Sequence, residues 1–119
     1  MTTTTHEAAS HVVTSHGADF FGEDRHTLKS LVSLAGYAEG ALSYADRKPL
    51  VELLQNPGDG GSMPPENAAL VAELLLKVSR HKFVKPKPSA LARALADAAA
   101  RAAADGEPWV WRIEAGADA

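Results

Sequence analysis

Apolar residues recur at steps of three and four through most of this chain. Leu28, Leu31, Val32, Ala35, Ala38 and Leu42 trace one stripe at helical spacing. The stripe predicts a first helix that begins near Asp24, with Glu23 and Asp24 at its positive end and Gly22 interrupting what precedes it. Gly36 and Gly40 fall inside the pattern. Each costs about 1 kcal/mol against alanine, so close approach of another backbone is the expected compensation. Leu50, Val51, Leu53 and Leu54 give a second helix. Asp46 as its N-cap places Pro49 in the first turn, whereas a start at Ser43 would push Pro49 inside. Asn56 to Ser62 reads as a loop. Pro64-Pro65-Glu66 opens a third helix, which runs to about Arg80. Ala68, Val71, Ala72, Leu75 and Val78 lie on one side of it, and Leu70, Leu74 and Leu76 widen the arc. Ser89 is expected to cap a fourth helix ending near Asp105, with Gly106 as terminator. Arg93, Asp97, Arg101 and Asp105 form a ladder of alternating sign along it.

Two short segments carry a different period. His11 to Ser15 is rich in β-branched residues, and Trp109 to Ile113 alternates Trp109, Trp111 and Ile113 against Val110 and Arg112. Neither strand is stable alone. The economical arrangement pairs them and packs the pair on the helices. The expected fold is therefore mainly α: a compact bundle of four helices with a small two-stranded β element formed by the N- and C-terminal segments. Residues 1–9 and 115–119 read as tails and residues 10–114 as one helical domain. A chain of 119 residues suits one modest core. The breadth of the third helix's apolar arc makes a homodimer plausible. One tryptophan is expected in the core and the other partly exposed.

Composition narrows the function classes. No cysteine is present, which excludes disulfides and thiolate metal sites. No apolar run approaches the roughly 20 residues of a membrane span, and the first ten residues do not form a signal peptide. A cytoplasmic protein is the expectation. The net charge of −3 hides a segregated distribution. Residues 77–93 carry six bases and no acid, whereas residues 1–76 carry four bases against ten acids. Such asymmetry bears on partners.

The segments SHGADFFGEDR and GEPWVW resemble a family of small, alanine-rich actinobacterial proteins of unknown function. The resemblance covers most of residues 15–111 and leaves out the leading MTTTTHEAASH. It implies no activity, cofactor or catalytic residue.

Three constellations could carry chemistry. His16, Asp19, Glu23 and His26 are of the right types to hold zinc, iron or manganese, although HExxH and similar tight helical spacings are missing. The bland alternative is that the acids cap a helix and His16 satisfies a turn. Lys77, Arg80, Lys82, Lys85, Lys87 and Arg93, with His81 and Phe83 between them, could neutralise phosphates. They could equally be solvated cations beside the C-terminal end of the third helix. Phe20, Phe21, Tyr37, Tyr44, Phe83, Trp109 and Trp111 could line a pocket, or simply anchor a small core. No nucleophile elbow, phosphate loop or dinucleotide fingerprint occurs. The sequence therefore reads as a non-enzymatic binding or regulatory module that acts on another protein. Its binding residues would be Lys77, Arg80, Lys82, Lys85, Lys87, Phe20, Phe21, Trp109 and Trp111, with no cofactor. Nucleic-acid binding through 77–93 is the alternative. Metal or small-molecule binding at 15–26 is the second.

Overall fold

A computed structural model describes residues 11–18, 22–55 and 60–114. Asp19, Phe20, Phe21 and the two expected tails lie outside the described residues. In chain order the elements are β1 (His11–Ser15), β2 (Glu23–Thr27), α1 (Leu28–Ala41), α2 (Tyr44–Gln55), β3 (Gly60–Met63), α3 (Pro65–Arg80), α4 (Pro86–Asp105) and β4 (Trp109–Glu114). The strands form one antiparallel sheet in the order β2-β1-β4-β3.

This corrects the expected architecture. The chain is not a helical bundle with a two-stranded appendage, because β1 and β4 are the inner strands of a four-stranded sheet. The outer strands are the two that sequence patterning hid. β2, EDRHT, is polar and does not alternate, so its acids read as the start of a helix. In the fold Asp24 instead closes the turn before it: Ala18 N–H donates to Asp24 Oδ1 at 3.0 Å, and Gly17 N–H donates to Gly22 O at 3.0 Å. A Cβ on Gly17 would lie 2.3 Å from the Glu23 carbonyl carbon, so only glycine fits this close to the start of β2. Thr27 is the true N-cap of α1, with its Oγ1 accepting from Ser30 N–H at 3.1 Å. β3, GGSM, has the composition of a loop, and its pairing is supplied by β4 next door.

Other boundaries shift for local reasons. α2 begins at Tyr44, not Asp46. Ser43 Oγ accepts from Asp46 N–H at 3.2 Å and leaves Pro49 inside the helix, at the cost of one ladder hydrogen bond. α4 begins at Pro86, not Ser89. Pro86 and Pro88 both fall in the first turn, where their missing N–H groups are not needed. The Ser89 hydroxyl donates instead to Ser79 O near the end of α3, at 2.6 Å. At the other end Gly106 adopts φ 67°, and Glu107 N–H reaches back to Ala102 O at 3.0 Å, closing the helix as a left-handed cap. Nothing approaches Gly36 or Gly40, so the expected compensation by a neighbouring backbone is not found among the described residues.

Directly opposed residues share a face of the sheet. Val12, Thr14, Trp109 and Trp111 face the core, where they meet α4, whose dry side is mostly alanine: Ala92, Ala96, Ala98, Ala99 and Ala102 around Leu95. α3 packs along α4 through Leu75, Val78 and their neighbours. Most of the arc on α3 is thus covered within one chain, and Leu70 stays exposed. Both indole rings are buried, Trp109 fully and Trp111 with 4% exposure, in an edge-on pair 5.2 Å apart. The expectation that one would be partly exposed is overturned: the alanines of α4 leave room for both. On the outer face Val13 lies between Arg25 and Arg112, and is buried despite its position. The aliphatic stems of the two arginines flank it.

Candidate functional site

Of the quartet His16, Asp19, Glu23 and His26, Asp19 lies outside the described residues, and the other three do not come together. Glu23 is on the outer face of the sheet, 3.0 Å from Arg112 Nη2. It belongs to an ionic cluster with Arg25 and Glu114, in which Arg25 Nε is 3.1 Å from Glu114 Oε1. The hydrogen bond from Arg25 holds the Glu114 carboxyl below its ordinary range. His26 points to the core face opposite Val12, and its Nε2 is buried without a hydrogen-bond partner. Burial lowers the pKa of this imidazole, against the opposing pull of the Asp24 carboxylate. The ring is part-buried on the inner face of the sheet, away from His16 and Glu23.

His16 has other partners. It sits just past β1 with φ 59°, and its Nε2 is 2.7 Å from Glu107 Oε1 and 3.8 Å from Asp105 Oδ2. Those three ligand-type atoms all lie within 4.8 Å of one another. Several bonds fix the segment that presents the ring. Arg101 Nε–H donates to His16 O at 2.8 Å, and Trp109 Nε1–H donates to Ser15 O at 3.0 Å. Val110 N–H donates to Ser15 Oγ at 2.9 Å, and that oxygen is 2.9 Å from His16 Nδ1. Reasoning from sequence missed Asp105 and Glu107. Their signal was electrostatic: two carboxylates flank the glycine that ends α4, at the end of a helix where negative charge is disfavoured.

The basic segment forms the corner between α3 and α4. Lys77 Nζ is 3.8 Å from Asp46 Oδ2, and Arg93 Nε is 3.7 Å from Asp97 Oδ1. Among the described residues this is the one ion pair of the expected ladder, since Arg101 turns to His16 O. Lys82, Lys85 and Lys87 are exposed. The Phe83 ring is 74% exposed, with Lys82 Nζ 5.3 Å from its centroid and the His81 ring 5.4 Å away. Ala41, Glu73, Leu76, Lys77, Arg80 and His81 line an open groove of about 540 Å³ at the end of α3. Trp109 and Trp111 are inside the core and offer no surface here. Phe20 and Phe21 lie outside the described residues.

Residues 17–112 match the model of a family described as a domain of unknown function, DUF7739. The chain belongs to this family. The match takes in β2, the α3–α4 corner, Asp105 and Glu107, and begins at Gly17, one residue after His16. It agrees with the resemblance to a family without an assigned function. No curated protein and no solved structure matches the chain. No described helix is long and apolar enough to cross a membrane.

Proposed function

We propose that this DUF7739 protein is a non-catalytic binding module of the cytoplasm whose α3–α4 corner docks an acidic segment of another protein. The observation that carries this reading is Phe83. Phe83 leaves about three-quarters of its surface in water, held between His81 and Lys82, and so offers a partner apolar area set among cations. The ring packs against His81, which lines the groove with Arg80, and against Lys82, so an exposed aromatic and cations share one corner, the residue types on which interfaces rely. Cations steer an acidic partner and set its register, and the ring supplies the desolvated contact.

Nucleic-acid binding has less support from the same corner. Lys77 and Arg93 already face Asp46 and Asp97, and the carboxylate of Glu73 lines the groove. Phosphate binding needs cations free on one surface.

The test compares wild type with Phe83→Ser and with the triple variant in which Lys82, Lys85 and Lys87 become glutamate. A partner recovered by wild type is titrated against each. The expected result is a loss of affinity of about tenfold or more for Phe83→Ser, and slower association for the triple variant. Undiminished affinity in both variants removes the corner as the binding surface. A partner that proves to be RNA or DNA, bound with a steep decline in salt, establishes the other reading.

A further inference from the structure

We propose that His16, Asp105 and Glu107 hold a divalent transition-metal ion, zinc being the best fit, as a clip between the β1–β2 hairpin and the end of α4. The ligand atoms are His16 Nε2 and one carboxylate oxygen from each acid. Imidazole nitrogen with carboxylate oxygen suits zinc and its first-row neighbours, and disfavours calcium and magnesium, which take oxygen alone.

The spacing is right for one ion. Zinc binds nitrogen and oxygen at about 2.0–2.2 Å, so neighbouring ligands of a tetrahedral ion are roughly 3.3 Å apart. The observed separations of 2.7 Å and 3.8 Å from Nε2 straddle that value. A side-chain rotation of Glu107, which is exposed, opens the shorter one. Without an ion, Nε2–H donates to the Glu107 carboxylate at 2.7 Å, and a metal takes the place of that proton. Ser15 Oγ accepts Val110 N–H and has a second lone pair for Nδ1–H, the tautomer that a ligating Nε2 requires.

A separate electrostatic argument points the same way. α4 ends at Asp105 with no basic residue in its last turn. Two carboxylates therefore sit at the negative end of a 20-residue helix, each disfavoured by that end. Arg101 lies one turn back, and its Nε–H is committed to the His16 carbonyl. Its single positive charge offsets one of the two carboxylates and leaves the other, which moderates affinity without reversing the attraction. A divalent ion relieves both acids at once. The three ligands come from the exit of β1, the last residue of α4 and the approach to β4, so an ion there ties together three elements. The site stands apart from the proposed docking corner, at the opposite end of α4 and about 30 Å away along the helix.

The experiment is calorimetric titration of zinc into untagged full-length protein, with a thermal-unfolding scan beside it. Glu107→Gln keeps the shape and a hydrogen bond to His16; Asp105→Asn and His16→Ala complete the set. The expected result is one ion per chain, a raised unfolding temperature with zinc, and at least about tenfold weaker binding in each variant. Magnesium is expected to give no comparable shift. Cobalt in place of zinc adds a visible spectrum that reports nitrogen coordination, and His16→Ala should change it. No saturable zinc binding by wild type overturns the proposal. So does equal affinity in wild type and Glu107→Gln, which would assign the ion to other histidines of the chain. If His16→Ala fails to fold, Glu107→Gln and Asp105→Asn decide the matter.

Discussion

α3 and α4 lie side by side, both open with proline at the first helical positions, and both bury one apolar face, yet their ends are charged in opposite senses. α3 has Glu66 in its first turn and Lys77 and Arg80 in its last, the order that the helix dipole favours. α4 has Lys87 and no acid in its first turn, and Asp105 and no base in its last. The difference teaches where each helix gets its stability. α3 is helped by its own termini. α4 relies on its buried side, Leu95 and the alanines around it, and carries ends that would each be relieved by something of opposite charge. In the readings proposed above, an acidic partner does so at its N-terminal end and a metal ion at its C-terminal end.

The comparison can be broken or sharpened by mutation. The largest effect is expected at the hairpin that delivers His16 to the end of α4. Gly17→Ala sets a methyl group against the Glu23 backbone and should cost about 1–3 kcal/mol in urea unfolding. An unchanged midpoint would mean that the hairpin relaxes easily and is no rigid support for the site. A charge swap isolates the dipole argument. Lys87→Glu should stabilise the chain, and Lys77→Glu destabilise it, each by about 0.3–1 kcal/mol at low ionic strength, with both effects shrinking in high salt. The Lys77 change also loses the contact with Asp46, so its effect should be the larger. Equal signs for the two would dissolve the contrast between the helices. The subtlest effect is in pH. The pKa of His26 is lower folded than unfolded, so the unfolded chain takes up the proton first as pH falls. Stability is then expected to decline as pH drops below the ordinary histidine value of about 6.5, and to level off once the folded state also protonates. His26→Phe should flatten that part of the profile, and a profile that keeps its full slope would place the titration elsewhere.

How much of this could be read from the chain follows from where the information lay. α3 and the end of α4 were legible because proline, glycine and a strong 3.6-residue period mark them locally. β2 and β3 were not: EDRHT and GGSM have no strand character of their own and are strands only because β1 and β4 offer them edges. The candidate site was half legible. His16 stood out as a histidine in a glycine-marked turn, but its partners lie some 90 residues further on and become neighbours only when the sheet closes. The basic corner could be seen as a run of cations. That Phe83 would stand out among them depended on the α3–α4 turn, whose shape is set by His81 N–H donating to Val78 O and Val84 N–H to His81 O.

The placement of β1 and β4 at the middle of the sheet has a kinetic corollary. The α3–α4 hairpin involves contacts between residues near in sequence, whereas the central strand pair must close a loop that includes almost every other element. Closing so long a loop costs entropy before any ladder bond repays it, so the sheet should be the late event of folding and the helical hairpin an early one. Pulse-labelled hydrogen exchange during refolding would then find the amides of α3 and α4 shielded while those of β1 and β4 still exchange.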